Sequence, residues 1–393
     1  MLGALGAWSG AALARPDLGP ASLPEGTLES STYDTLPGKL PLIKKSYRPP
    51  NFETPVRYFG EAFTPNDAFF VRYHLSSIPE VDADTWRLRV GGDAAGRTVE
   101  FSLADLKREF ETVEIAAVCQ CSGNRRGLSS PHVPGVQWGY GAMGNARWTG
   151  VRLRDVLQRA GVKAEAVEVA FDGADAAVSD RTPDFVKSLP VAKALDPDTL
   201  LAFGMNGEPL PRWHGAPVRL VVPGWTATYW IKHLTRVDVL SAPFAGFWMN
   251  PAYRIPRDRF SPVERFVSQE NEKTTPITEM VVNSLITSLR DRMMYRSRTP
   301  LFVRGIAWDG GAGIAKVEVS VDGGTTWAVA ELGPDLGRFS WRQWSLAFNP
   351  EPGEHVVMAR ATNARGDTQG FEAVFNPAGY HHNAIQTVRI KCT

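Results

Sequence analysis

The chain has 393 residues, of which 43% are hydrophobic and 22% charged, and its formal net charge is +1. This length exceeds that of a usual single core and predicts two domains of an ordinary soluble globular protein. The near-zero charge argues against a nucleic-acid-binding surface, which needs a basic excess, so any anion site must be a local cluster. The three cysteines, Cys119, Cys121 and Cys392, cannot form a disulfide framework, and a Cys119–Cys121 pair would be strained.

The N-terminus carries an ambiguous targeting signal. Residues 1–14 are small and apolar and end in an A-x-A-like sequence, but no basic residue precedes them. We interpret them as a signal-peptide remnant, with a disordered Ala/Gly tail as the alternative. The stretch is too short to span a bilayer, and no other segment is long enough. Residues 15–50 are rich in Pro, Gly and Ser and are predicted to form an extended arm that wraps the first domain.

Residues 51–265 alternate short β-rich runs with few helices, which predicts a mixed α+β domain. Residues 102–110 have helical spacing, with Ser102 as the N-cap. A second helix is predicted over 153–160, ending at Gly161 as a C-cap.

A thiol follows a predicted buried strand in this domain. Residues 115–118 are a short apolar run, so Cys121 leaves the strand end and enters a Gly-containing turn, where reactive groups are common. Arg125 and Arg126 come next, and nearby positive charge favours a thiolate. From the residues alone, Cys121 as metal ligand or nucleophile and Cys121 as a small buried core residue are equally good readings.

Residues 266–393 are predicted to form an all-β domain after a polar, Pro-containing linker. Four runs alternate apolar and polar residues with period two: 301–308, 316–321, 341–346 and 355–361. Asp-Gly-Gly sequences at 309–311 and 322–324 mark turns. Several short strands at this spacing predict an immunoglobulin-like sandwich.

The run CSGNRRG at 121–127 resembles the C-[SA]-G-N-x-R signature of the sulfite oxidase family, enzymes that carry molybdenum on a pterin cofactor. Further motifs follow in the family's order: TPNDAFFVRYH at 64–74, GNARWTGV at 144–151, MNGEPLP at 205–211, HGAPVR at 214–219, and VPG at 222–224 with Lys232 behind it. The sequences GAMGNARW, YRIP and NPAGY make the chain most similar to bacterial periplasmic sulfite dehydrogenases. The resemblance covers nearly all of the chain after Leu36.

The resemblance implies a molybdopterin-binding domain at 51–265 and a dimerisation domain at 266–393. It implies one molybdenum–molybdopterin per chain, with Cys121 as the protein's ligand to the metal. A soft thiolate suits such a metal–sulfur centre. The implied substrate-pocket residues are Arg72, His74, Arg126, Trp138 and Tyr253. Arginines suit sulfite and sulfate because their planar fork binds oxyanions and stays charged.

The resemblance also implies a set of residues around the cofactor: Phe70, Arg72, His74, Cys121, Asp175, His214, Arg219, Trp230, Ile231 and Lys232. Asp172 is the alternative to Asp175, because the loop from Asp172 to Pro183 can carry an insertion or deletion relative to the family. Arg125 is interpreted as a surface or backbone-bracing arginine, and Cys119 as a core residue. Animal enzymes of the family place an arginine of the C-terminal domain, in a W-N-L-R-G run, near the substrate. Residues 375–380 of this chain have a different sequence there, so this arginine–substrate contact is not expected.

The predicted reaction is oxidation of sulfite to sulfate. No haem is expected in this chain, which has no C-x-x-C-H sequence, so the expected electron acceptor is a separate c-type cytochrome. The resemblance further implies a homodimer. It implies a periplasmic protein exported folded by the twin-arginine route, with no nucleic-acid partner and no membrane span.

Other functions remain open from the sequence. A sulfane-sulfur dehydrogenase subunit or a nitrate reductase would share the cofactor, and a methionine sulfoxide reductase would share part of the motif. From another class, the chain could be a non-catalytic binding module with an immunoglobulin-like tail.

Overall fold

The computed structural model describes residues 32–177, 179, 181–260 and 264–393. The signal remnant expected at 1–14, and the expected arm up to residue 31, lie outside the described residues. The described residues form three α-helices, α1 (Leu103–Glu109), α2 (Leu153–Ala160) and α3 (Val191–Ala194). None of the helices in these ranges has the length and apolar character needed to cross a membrane.

Short strands account for most of the regular structure. Those up to residue 256 are β1 (Tyr33–Asp34), β2 (Leu42–Tyr47), β3 (Pro50–Glu53), β4 (Val71–Arg72), β5 (Leu88–Gly91), β6 (Val99–Phe101), β7 (Thr112–Gln120), β8 (Met143–Arg152), β9 (Glu168–Gly173), β10 (Lys187–Pro190), β11 (Leu200–Met205), β12 (Glu208–Pro209), β13 (Arg219–Val221), β14 (Leu234–Leu240) and β15 (Arg254–Pro256). The later strands are β16 (Thr274–Pro276), β17 (Asn283–Ile286), β18 (Met294–Tyr295), β19 (Leu301–Trp308), β20 (Ile314–Ser320), β21 (Ala328–Val329), β22 (Glu331–Leu332), β23 (Arg342–Phe348), β24 (Gly353–Asn363) and β25 (Gln386–Cys392).

Three sheets build most of the first part of the chain, and β15 pairs with β16 in a separate two-stranded sheet. The arm residues contribute β1 and β2 to an antiparallel sheet in the order β1-β2-β3-β4. The other two sheets have the orders β10-β9-β14-β5-β6 and β12-β11-β8-β7, with β13 paired to β11. Only the β14–β5 pair is parallel among these strands of the described residues. The two large sheets enclose a core that includes Trp148, Trp230 and Leu201.

Capping interactions fix one end of each of the two longer helices. The Ser102 hydroxyl accepts from the backbone N–H of Asp105, and the Asp105 carboxylate accepts from the Ser102 N–H, which forms a capping box at the start of α1. Helix α2 ends at Gly161, whose φ of 77° suits a residue without a Cβ. Both helices confirm the predicted ranges.

The C-terminal part is a two-sheet sandwich. One sheet has the order β17-β19-β23-β22 and the other β18-β25-β24-β20-β21, and buried apolar residues such as Val303, Val317 and Val357 fill the space between them. A mixed α+β part followed by a β-sandwich confirms the predicted fold class. The sandwich also contacts β7 directly, because the Trp308 indole donates to the Gln120 side chain at 2.7 Å.

Candidate active site

The turn that carries Cys121 starts where β7 ends, at Gln120, as the sequence predicted. Its backbone is tied to the segment before β8: the Cys121 N–H donates to the carbonyl of Ala142 at 2.9 Å, and the Arg125 N–H donates to Gly139 at 2.8 Å. Arg125 itself has a left-handed backbone, with φ of 67°. The Cys121 thiol is thereby held at a strand end with only 8% of its surface exposed.

A buried carboxylate fixes the segment that faces this turn. Glu53 on β3 is fully buried and accepts from the N–H groups of Gly139 and Gly141 at 2.8 and 3.0 Å. The Lys45 ammonium lies 3.3 Å from the same carboxylate and balances its charge. Because Gly139 also receives the Arg125 N–H, Glu53 positions the cysteine turn through one intervening segment.

The Cys121 turn opens into an enclosed pocket with an empty volume of about 710 Å³. Eleven of the residues predicted to surround the cofactor or substrate line it: Phe70, Arg72, His74, Cys121, Asp175, His214, Arg219, Trp230, Ile231, Lys232 and Tyr253. They come from the segment around β4, the β7 turn, the loop after β9, the segments around β13 and the loop before β15. Motifs spread over some 180 positions of the sequence therefore meet at one cavity.

The chemistry of this pocket suits an anion. Burial lowers the pKa of the Lys232 ammonium well below its ordinary value, and the neighbouring Arg219 lowers it further. Burial likewise lowers the pKa of His214 and of Arg219 itself. The Arg219 Nε and the Thr228 hydroxyl are buried without a hydrogen-bond partner among the described residues. Clustered basic side chains and unpaired donors fit a phosphate-bearing ligand, and the Cys121 thiol fits a soft metal.

One carboxyl group balances these cations. Asp175 lines the pocket, and its burial raises its pKa to about 6. Asp172, the alternative considered from the sequence, lies on β9 and is absent from the pocket lining among the described residues. Burial and the nearby Asp184 raise the Asp172 pKa to about 7. The structure thus brings Asp175 to the pocket and leaves Asp172 beside it.

A second, more open pocket of about 960 Å³ adjoins the first. Cys121, Arg72 and Tyr253 line both pockets. Arg126 lines only the outer one, where its Nε donates to the Ala378 carbonyl at 2.7 Å. Cys121 therefore lies at the junction between an enclosed cationic pocket and an outer pocket lined by three arginines, Arg72, Arg126 and Arg254.

His74 and Tyr253 meet at this junction. The Tyr253 hydroxyl and His74 Nε2 are hydrogen-bonded, and the imidazole stacks on Phe185 with ring centroids 3.6 Å apart. Burial lowers the pKa of His74 well below its ordinary value, and Arg72 lowers it further. Burial also raises the pKa of the Tyr253 phenol. Both groups are therefore neutral near pH 7.

Trp138 lies elsewhere than expected. Its side chain is fully buried in the core, and it lines neither pocket among the described residues. It immediately precedes the segment bound by Glu53, and its carbonyl accepts from the N–H of Gly127 at 2.8 Å. The structure thus places Trp138 behind the cysteine turn, where its bulk supports the backbone of that turn.

The neighbouring Arg125 braces the backbone, as predicted. It is 1% exposed and donates to the carbonyls of Ser284 and Ala384 in the sandwich at 2.6 and 3.4 Å. Cys119 is buried in the core, as predicted, but it also touches the enclosed pocket. Burial raises the pKa of the Cys119 thiol to about 11.

Several residues near the site carried no signal in the sequence. Lys187 is 1% exposed, donates to the Trp248 carbonyl at 2.6 Å and lies 5.1 Å from the centre of the Tyr253 ring. Tyr380 of the sandwich stacks on Tyr253. The segment at 375–380, which lacks the arginine of the animal enzymes, thus reaches the outer pocket through Tyr380 and Ala378.

Within the described ranges, no three His, Cys, Asp or Glu side chains are grouped so that they could hold a metal ion. Cys121 is the soft donor at the junction of the two pockets. The donor set consequently fits a metal that arrives with most of its ligands on a cofactor.

Comparison with known proteins is consistent with this geometry. Residues 74–248 match the family model of the oxidoreductase molybdopterin binding domain, and residues 274–393 match the Mo-co oxidoreductase dimerisation domain. The chain is 39% identical to mitochondrial sulfite oxidase of Homo sapiens, over 95% of this chain and 70% of that protein. It is 36% identical to sulfite oxidase of Gallus gallus, over 90% of this chain and 78% of that protein.

A solved structure is also similar to this chain. The sulfane dehydrogenase SoxCD from Paracoccus pantotrophus superimposes with a TM-score of 0.76 at 27% identity, covering 98% of this chain and 93% of that one. The sequence relatives, the two family models and the shared fold agree. The chain belongs to the sulfite oxidase family of molybdopterin-dependent oxidoreductases.

Proposed function

We propose that this protein oxidises sulfite to sulfate at a molybdenum–pterin centre held in the enclosed pocket. Its relatives of 36–39% identity are sulfite oxidases. One observation carries the proposal: Cys121 lies where an enclosed cationic pocket joins an outer pocket lined by three arginines. The first pocket suits an anionic cofactor and the second a small oxyanion substrate.

The residues of the enclosed pocket would hold the cofactor. His214, Arg219 and Lys232 would bind its phosphate and pterin, and the Cys121 thiolate would be the protein's ligand to molybdenum. When bound, the molybdenum–pterin group supplies oxygen-atom transfer and accepts two electrons. The aromatic residues Phe70 and Trp230 exclude water from this pocket, which strengthens every charge interaction within it.

The residues of the outer pocket would bind sulfite. Arg72 and Arg126 provide fixed positive charge for the dianion. Oxidation consumes sulfite and water and yields sulfate, two protons and two electrons, so the site must also release protons. Neutral His74 can accept a proton at Nε2, which is already hydrogen-bonded to the Tyr253 hydroxyl. The pair therefore orients the substrate and connects it to a proton acceptor.

The proposed electron acceptor is a separate c-type cytochrome. The 393 residues contain no C-x-x-C-H sequence for covalent haem attachment, which supports an acceptor outside this sequence. The match to a dimerisation domain supports a homodimer. We further propose a periplasmic location with export by the twin-arginine route. Its support is the A-x-A-like sequence at 12–14, outside the described residues.

A second candidate function is oxidation of sulfane sulfur. It is favoured by the structural similarity to the sulfane dehydrogenase SoxCD, which extends over 98% of this chain. The lower identity, 27% against 39% for human sulfite oxidase, ranks it second. Both functions would use the same cofactor pocket and differ in what enters the outer pocket.

A direct assay tests the proposal and separates the two candidates. The protein is expressed in a host that makes molybdopterin, its molybdenum and pterin contents are measured, and turnover is followed with cytochrome c as acceptor. We expect molybdenum and pterin near one per chain and activity with sulfite. Activity with a protein-bound sulfane sulfur but not with sulfite would select the second candidate. Protein free of molybdenum and pterin would overturn both.

A further inference from the structure

Lys39 lies in the arm at the start of the described residues and is not one of the predicted site residues. A turn places it: the Lys39 N–H donates to the carbonyl of Leu36 at 2.9 Å. The same turn contacts Trp213, which precedes the pocket residue His214: the Trp213 indole donates to the Pro37 carbonyl at 2.8 Å. The arm therefore reaches the short 3-10 helix Arg212–His214, which ends at a residue of the cofactor pocket.

The Lys39 side chain is buried beneath this helix and has three acceptors. It is 9% exposed, and its Nζ lies 2.5 Å from the Asn66 carbonyl, 3.0 Å from the Phe69 carbonyl and 2.5 Å from His214 Nε2. Among the described residues it forms no ion pair with a carboxylate. Lys39 and His214 together separate the enclosed pocket from a cavity of about 1130 Å³ on the other side, which Lys39 lines.

The number of donors on the ammonium decides the tautomer of His214. An ammonium has three N–H donors and no acceptor, and here the three neighbours are two carbonyls and Nε2. All three donors are used only if Nε2 of His214 carries no proton, which leaves the proton of the neutral ring on Nδ1. Nε2 also lies 3.3 Å from the Asn66 carbonyl, a hydrogen bond that would need a proton on Nε2, but that carbonyl already accepts from the Lys39 ammonium at 2.5 Å, and the shorter Lys39 contact keeps Nε2 unprotonated. Within the described residues no hydrogen bond of the His214 ring involves Nδ1. Nδ1–H therefore remains available as a donor.

We propose that Lys39 is a positioning residue for cofactor retention: it fixes His214 in the Nδ1–H tautomer and holds that donor for the anionic end of the pterin cofactor. The inference rests on the proposed function, which supplies the cofactor. It assigns a role in cofactor binding to the arm, which lies outside all the motifs that line the cofactor pocket. Loss of Lys39 leaves His214 free to take either tautomer, so the cofactor is held less tightly.

The test measures release of the pterin, not turnover. Holoprotein of the wild type, Lys39→Met and Lys44→Met is dialysed at pH 6, where the ammonium predominates because burial lowers the pKa of Lys39 to about 7. Released pterin is followed by fluorescence. We expect release from Lys39→Met to be about ten-fold faster, as for loss of one hydrogen bond to a charged group. Lys44→Met is the matched control, since Lys44 lies in the same arm but pairs with Asp34. Equal release from both variants would overturn the proposal.

A double variant separates positioning from general support of the fold. His214→Asn places a donor near the Nδ1 position whatever its surroundings, so adding Lys39→Met to it should not change release further. Equal acceleration in both backgrounds would show that Lys39 acts without His214 and would overturn the proposal.

If Lys39→Met fails to fold, Trp213→Phe loosens the arm through Pro37 and should speed release about two- to three-fold. Wild-type protein without pterin would overturn the proposed function as well, whereas pterin-loaded protein without sulfite activity would overturn only the function.

Discussion

The Tyr253 hydroxyl is hydrogen-bonded to Nε2 of His74 at the junction of the two pockets. The tyrosine reaches this position with a left-handed backbone, φ 56°. Its ring stacks on Tyr380 of the sandwich with the ring planes 4° apart and the centroids 5.7 Å apart. The C-terminal sandwich thus holds one partner of the pair, and the first domain holds the other.

Tyr253→Phe should slow sulfite turnover while leaving the molybdenum content unchanged. The change removes the hydroxyl that orients substrate and connects it to His74, but it keeps the ring that stacks on Tyr380. Steady-state kinetics and metal analysis of the purified variant check this. Tyr380→Phe is the matched control and should retain most activity, because that phenol does not contact His74 within the described residues. Unchanged turnover in Tyr253→Phe would remove the role given to its hydroxyl.

Cys121→Ser should give folded protein that retains pterin and lacks sulfite activity. A hydroxyl is a poor substitute for a soft thiolate as a metal ligand. Cys119→Ser, two residues earlier at the end of β7, should have a mild effect, because burial raises the pKa of the Cys119 thiol to about 11 and keeps it protonated. Pterin fluorescence and turnover are measured for both. Near-normal turnover in Cys121→Ser would refute the ligand assignment.

Much of the fold follows from local sequence signals. The N-cap Ser102 and the C-cap Gly161 marked the two longer helices, because each cap depends on residues a few positions apart. Alternating apolar residues marked β19 (Leu301–Trp308), whose two faces lie in different environments. Motif resemblance then grouped the residues of the enclosed pocket.

The rest depends on contacts between distant parts of the chain. Lys187 reaches Tyr253 only because β10 and the loop before β15 meet in the fold, and neither sequence contains a periodic or spacing signal for it. Lys39 lies 175 positions from His214. Trp138 was expected at the pocket wall, yet packing places it behind the cysteine turn, since a large apolar ring contributes more when fully buried.

Arg126→Met and Arg72→Met should each weaken transition-state binding of sulfite by about 2–4 kcal/mol, as for the loss of one oxyanion donor. The effect should lie mainly in kcat/KM, and inhibition by sulfate should weaken in parallel. Steady-state kinetics with both anions check this. If both variants keep the wild-type values, sulfite binds elsewhere.

Arg125→Met is the matched control for Arg126, since the two arginines are adjacent in the chain. Arg125 faces the sandwich, where it donates to Ser284, so its loss should lower the free energy of unfolding by about 1–3 kcal/mol. Folded Arg125→Met should keep a kcat/KM close to that of the wild type. A large kinetic loss with unchanged stability would contradict the bracing role.

Asp172→Asn should stabilise the protein at alkaline pH. Burial and Asp184 raise the Asp172 pKa to about 7 in the folded state, from an ordinary value of 3.8. Between about pH 4 and 7 the folded protein therefore holds a proton that the unfolded chain has released, so wild-type stability falls as the pH rises through this window and is constant above it. The Asp172→Asn variant has no carboxyl group at this position, so it does not lose stability in this way as the pH rises. Because the carboxyl is partly exposed, screening limits the gain at pH 8 to about 1 kcal/mol. Urea unfolding of the two proteins from pH 4 to 8 measures it, and stability curves that stay parallel across this range would contradict the expectation.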